Sequence, residues 1–238
     1  MKSLNQYIKE KLIINKDYHD DKIIIKSFDE LRKIIEDRYD KLGPGTKENP
    51  IDFNDIDVSN LNSFRNKGKG IFEETKFKYI DISDWNVSNV KTMNHMFAYC
   101  KELKSVGDIS YWDVSNVTNM YCMFLDCKFF NQDISKWDVS KVSNMAYMFY
   151  GCASFNQDIS NWYVSNVTDM SHMFFCCTSF NQGLSSWNVS NVYYMTAMFR
   201  GCKSFNKDIS NWDVSKVKNH ILMFRNCTIK DEYKPKFI

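Results

Sequence analysis

From Trp85 to Cys227 the apolar residues fall on two alternating spacings. In FNQDISNWYVSNVTDMSHMFFCC, residues 155–177, Trp162 and Val164 stand two apart, which puts both on one face of an extended segment. Val167, Met170, Phe174 and Cys177 then follow at intervals of three, four and three, the stripe of a short helix with Ser165 as its N-cap. The pattern predicts a unit of short strand, turn and about two helical turns.

The unit recurs. Trp85, Trp112, Trp137, Trp162, Trp187 and Trp212 are separated once by 27 residues and then four times by 25. Cys100, Cys127, Cys152, Cys177, Cys202 and Cys227 each follow their tryptophan by 15 residues, so the two extra residues fall in KELKSVGDISY, as a loop. One unit cannot bury both its Trp face and its Met/Phe/Cys face alone, so neighbours must stack. The expected fold is an α/β solenoid of about six 25-residue coils, each a short strand plus a short helix, behind a helical N-terminal cap.

The ends of the array set the expected domains. Upstream, IDVSNL places Ile56 at the Trp position, and Phe72, Thr75 and Ile82 match Phe, Cys and Ile if RNKGKG holds four extra residues. Residues 51–80 then form a degenerate first coil of a repeat region spanning 51–230, preceded by a helical segment over 1–50 and followed by a tail over 231–238. His220 and Lys230, where Met and Phe are expected, mark the decay of the array.

Two amphipathic stretches precede the repeats. Leu4, Tyr7, Ile8 and Leu12 lie at helical spacing, as a peptide that either docks on a partner or packs on the repeats. Ser27 caps a second helix whose stripe is Phe28, Leu31, Ile34, Ile35 and Tyr39 and which Gly43-Pro44 ends; it is expected to shield the edge of the first coil.

Charge and composition narrow the function. A net charge of +2 and the lack of a basic stripe argue against a nucleic-acid partner. No apolar run is long enough for a membrane span, and MKSLNQYIKEKLIINKDYHDDK does not read as a secretory signal, so the expectation is a chain made in the cytoplasm with reduced thiols. Cysteines at a fixed period form a line, which cannot close around an ion, so no metal site is expected. His95, Cys122 and His172 share one position in their repeats but bring no third ligand with them. Asp133, Asp158 and Asp208 likewise form a column, better suited with Asn131, Asn156, Asn181 and Asn206 to satisfying turns than to catalysis. The chain is expected to be no enzyme and to carry no cofactor.

At the level of whole units, FNQDISKWDVSKVSNMAYMFYGC and FNQDISNWYVSNVTDMSHMFFCC resemble the 25-residue repeats of the BspA-like leucine-rich-repeat surface proteins, grouped from mycoplasma and lactobacillus lipoproteins, over about residues 51–230. The resemblance implies a right-handed leucine-rich-repeat-like stack used for adhesion or protein binding. It extends to phage- and large-virus-encoded relatives, which a chain without an export signal is closer to. Because recurring positions pack, binding is expected at variable ones, with Tyr111, Tyr163, Tyr193 and Tyr194 as exposed aromatic anchors and Leu4, Tyr7, Ile8 and Leu12 as a second contact. The function so read is a non-catalytic module binding a protein or a glycan, associated with a virion; the alternative is a bacterial cell-surface adhesin-type protein.

Overall fold

Turns, not helices, build the repeats. The computed structural model describes residues 22–237. From Met170 to Cys177 the backbone N–H groups alternate. Those of Met173, Phe175 and Cys177 bond three residues back within their own repeat, to Met170, His172 and Phe174 at 3.2, 3.1 and 3.0 Å. Those of Met170, His172, Phe174 and Cys176 reach the next repeat, at the carbonyls of Tyr194, Thr196, Met198 and Arg200, 2.8–3.0 Å away. An α-helix needs right-handed φ throughout and bonds four residues back. Here His172 and Cys176 sit at φ 59° and 57°, and the equivalent pairs His95/Tyr99 and Cys122/Asp126 are also positive.

The expectation of a strand and a helix in every coil is therefore corrected, and with it the leucine-rich-repeat-like α/β solenoid. Among the described residues the one α-helix lies before the repeats, and Ser165, expected to cap a repeat helix, keeps its hydroxyl buried without a partner. The expected strand at Trp162–Val164 does not form; single-residue parallel bridges lie instead seven positions after Ile56 and after each tryptophan, running Ser63, Thr92, Asn119, Asn144, Asp169, Tyr194, Asn219 from repeat to repeat. The spacing of three, four and three has a different cause: consecutive turns bring the same residues inward.

Side-chain columns lock the turns together. Phe97, Phe124, Phe149, Phe174, Phe199 and Phe224 stack with ring centroids 5.4–5.9 Å apart. The thiols of Cys127, Cys152, Cys177 and Cys202 donate to the carbonyls of Phe97, Phe124, Phe149 and Phe174 one repeat back, at 2.9–3.0 Å, and all eight cysteines are free. Asn156, Asn181 and Asn206 each donate a backbone N–H to the side-chain oxygen of the asparagine one repeat earlier, at 2.8–3.1 Å. Asp133, Asp158 and Asp208 work within a repeat, accepting from the N–H of Ser135, Ser160 and Ser210. Hydrogen bonds from that serine's hydroxyl and backbone N–H together hold each carboxyl below its ordinary value.

Among the described residues, short strands appear only near the start. β1 (Ile23–Ile24) pairs in parallel with β3 (Ile56–Asp57), and β2 (Ile51–Asp52) with β6 (Ile80–Asp81). β4 (Arg65–Asn66) and β5 (Lys69–Gly70) form an antiparallel hairpin in RNKGKG, with Lys67 and Gly68 at positive φ in its turn. The helix, α1 (Phe28–Leu42), starts at Ser27, whose hydroxyl accepts from Glu30 N–H, and stops at Gly43, φ 76°. Leu31 and Ile35 are fully buried, and Tyr39 meets Phe77 edge-on at 5.1 Å, so the helix packs on residues 51–80. Arg38 pairs with the Asp55 carboxylate and the Asp52 carbonyl. At the other end the tail turns back, where Tyr233 accepts from Ile209 N–H and Phe237 stacks on His220.

The two-residue insertion leaves a trace in the tryptophan column. Trp137, Trp162, Trp187 and Trp212 donate their indole N–H to a carbonyl of the preceding repeat at 2.9–3.1 Å. Trp112 follows the long interval, and its buried Nε1 has no acceptor among the described residues. Instead the inserted loop is held by Gln132, which accepts from Val106 N–H and donates to the Gly107 carbonyl. Replacing Trp162 by Phe should therefore cost about 1–2 kcal/mol more than Trp112→Phe, because only the first breaks a buried hydrogen bond. Urea unfolding of the two variants measures the difference, and equal losses would contradict it.

Candidate functional site: a half-buried aromatic row

Beside the main core runs a second row of large side chains. It is built from the residues ten and thirteen positions after each tryptophan. The tenth position holds His95, Cys122, Tyr147 and His172; the thirteenth holds Ala98, Leu125, Tyr150, Phe175 and Arg200. The positive φ at the tenth position turns its side chain away from the Phe column, so the row is covered from one side only. Ala98, Cys122 and Leu125 form a small apolar cluster with Tyr121, Tyr147 and Tyr150 packed against it.

The rings lie along the row. Tyr147 stacks on His172 at 4.5 Å and 9°, Tyr150 on Phe175 at 4.4 Å and 5°, and the Arg200 guanidinium sits 5.3 Å over Phe175. Tyr121 bridges His95 and Tyr147 at 5.4 and 5.8 Å. One end holds Glu73, with Oε1 3.5 Å from His95 Nδ1, together with the Arg65 charge; the other end holds Arg200.

Partial burial sets its electrostatics. Loss of water pushes the Tyr121 hydroxyl up to about 12 and the Cys122 thiol up to about 11. The same desolvation lowers both imidazoles, His95 and His172, so they favour the neutral form. His172 Nδ1 is buried without a partner. Burial also raises Cys176, so this half-buried thiol is not activated as a nucleophile. Among the described residues no group of three or more His, Cys, Asp or Glu could hold a metal ion, and no helix is long and apolar enough to cross a membrane.

The tyrosines expected from the sequence lie elsewhere. Tyr111 and Tyr163 flank their tryptophans and are 77 % and 62 % exposed, on repeats separated by a third. The Lys136 ammonium lies 4.1 Å over the Tyr111 ring and Lys218 lies 5.0 Å over Tyr193. Tyr194 belongs to the bridge column between Asp169 and Asn219. None of the four stacks on a ring of the aromatic row. Leu4, Tyr7, Ile8 and Leu12 lie outside the described residues. The tenth position is visible in the sequence as the shared place of His95, Cys122 and His172, whereas the thirteenth, the first variable residue of M-F-x-x-C, looks like ordinary surface. Its signal was there: Leu125, Tyr150 and Phe175 are three successive large apolar residues at one period.

Comparison with known proteins gives one result. The model of the family described as "Mycoplasma protein of unknown function, DUF285" matches residues 62–174 and 157–232. No curated protein matches the chain. The matched stretches overlap and cover most of the chain, including every tryptophan of the array and the whole aromatic row, so the protein belongs to this DUF285 family, which is related to the BspA-like repeat proteins.

Proposed function

We propose that the chain is a non-catalytic protein-binding module whose contact surface is the row from Glu73 to Arg200. One observation carries the reading: the recurring side chains are consumed by packing and by repeat-to-repeat hydrogen bonds, whereas the tenth and thirteenth positions vary and still align into one row, half-buried at Tyr147, Tyr150, His172, Phe175 and Arg200 over a buried base of Ala98, Cys122 and Leu125. Large aromatics beside an arginine are the usual anchors of protein interfaces. A glycan is less well served. Sugars stack on open ring faces, and here Tyr147 is stacked on His172 and Tyr150 on Phe175, so one face of each ring is already covered.

The reading takes the cell-surface form of the resemblance as its setting. A photo-crosslinking residue at Tyr150 in the source cell tests the reading, with Tyr163 as the comparison. The expected result is one dominant protein adduct at Tyr150, reached by a crosslinker applied to intact cells. Adducts at Tyr163 alone, or glycan adducts, would overturn it.

A further inference from the structure

Every internal repeat is closed on both sides by its neighbours, and among the described residues the last one is closed on one side. The N–H groups of Met195, Ala197, Phe199 and Gly201 donate to the carbonyls of Asn219, Ile221, Met223 and Arg225 at 2.8–2.9 Å. One repeat on, the equivalent donors are His220, Leu222, Phe224 and Asn226, and none has an acceptor among the described residues. The backbone there is nonetheless already shaped. Leu222 and Asn226 keep the φ of 60° seen in the inner repeats, and Met223, Arg225 and Cys227 make the same bonds three residues back. Four donors at alternate residues therefore stand ready to bind a backbone that offers carbonyls at the same spacing, as the inner repeats do.

The opposite edge is already occupied. Its equivalent carbonyls, Ile71 and Glu73, accept from Arg32 Nη1 of α1 at 2.9 and 3.2 Å. A second copy cannot add its own first repeat to the open edge while that arginine is in place. The surroundings select another occupant. Phe237 lies 3.8 Å over His220, and between the tail and the last repeat runs a groove of about 390 Å³ that Leu222, Phe224, Arg225 and Lys234 help to line. Residues 216–237 carry Lys216, Lys218, Arg225, Lys230, Lys234 and Lys236 against only Asp231 and Glu232. Ile221 is 63 % exposed at the same edge.

We infer that this groove takes an acidic segment of a partner polypeptide folded in the same run of turns, which adds as one more rung by giving its carbonyls to His220, Leu222, Phe224 and Asn226. This site is separate from the aromatic row and stands or falls independently of it. The probe is a synthetic peptide copying residues 164–178 with serine for cysteine, flanked by glutamates, against the same peptide flanked by lysines. Binding to the full chain is read by anisotropy and by amide hydrogen exchange.

The four amides should exchange freely in the chain alone and slow on adding the glutamate-flanked peptide, which should bind about tenfold tighter than the lysine-flanked one. In an Arg225→Glu/Lys234→Glu variant that preference should reverse, whereas a variant that merely misfolds would bind neither. The proposal is overturned if the amides are already protected without peptide, if they gain protection with protein concentration through a second copy, or if the glutamate preference survives charge reversal.

Discussion

Phe149→Ala should lower the free energy of unfolding by about 4 kcal/mol, the range of a large aromatic deleted from a core that cannot collapse. Its ring is fully buried and meets Phe155 at 4.0 Å, Phe124 and Phe174 each at 5.8 Å, and Trp162 at 6.3 Å. Collapse into the vacancy is blocked because the backbone on either side is pinned. Phe149 N–H donates to the Met173 carbonyl, while its own carbonyl accepts the Cys177 thiol. Neighbouring rings can tilt but cannot descend by a whole repeat spacing. The control is Phe224→Ala at the end of the same column, where the side chain is half-buried and has a stacking partner in the column on one side only, Phe199. That change should cost roughly 1–2 kcal/mol. Urea unfolding followed by tryptophan fluorescence gives both values, and similar losses would mean that the column is not the core.

Period and backbone geometry were not equally legible. Columns at 25-residue spacing follow from repetition alone, so the Trp, Phe and Cys stacks and the asparagine ladder could be read directly from the sequence. The helix over Phe28–Leu42 was legible because its Ser27 cap and Gly43-Pro44 stop are local signals. The repeat backbone was not, since intervals of three, four and three arise equally from a helical stripe and from successive turns. The discriminating residues stand fourteen after each tryptophan. That position holds Tyr99, Asp126, Gly151, Cys176, Gly201 and Asn226, and Gly, Asn and Asp are the residues that enter left-handed conformations at least cost. Four of the six would have argued against a helix there. The aromatic row was missed for the same reason: a helical reading sends its residues outward singly, whereas the left-handed turn gathers them into one surface.

Arg32→Met should cost on the order of 3 kcal/mol, from the loss of charge-assisted bonds to buried carbonyls. Its guanidinium reaches the carbonyls of Gly70, Ile71 and Glu73 at 2.9–3.2 Å while Nε pairs with Glu36. Only a planar fork on a long stem can serve three acceptors and a carboxylate at once, so Arg32→Lys should recover less than half of the loss. Methionine keeps the apolar stem, so what is lost is the closure of the acceptor row. Since each repeat is held chiefly by its neighbours, the damage should stay local. Amides of Phe64, Phe72 and Glu74 should exchange faster, while those of Phe149 and Phe174 should not change. The variant also exposes carbonyls that match the open donors at His220, Leu222, Phe224 and Asn226. It should therefore associate head to tail as concentration rises, and the native chain should not. Sedimentation of both proteins decides the matter: if Arg32→Met stays monomeric and as stable as the native chain, this arginine closes nothing.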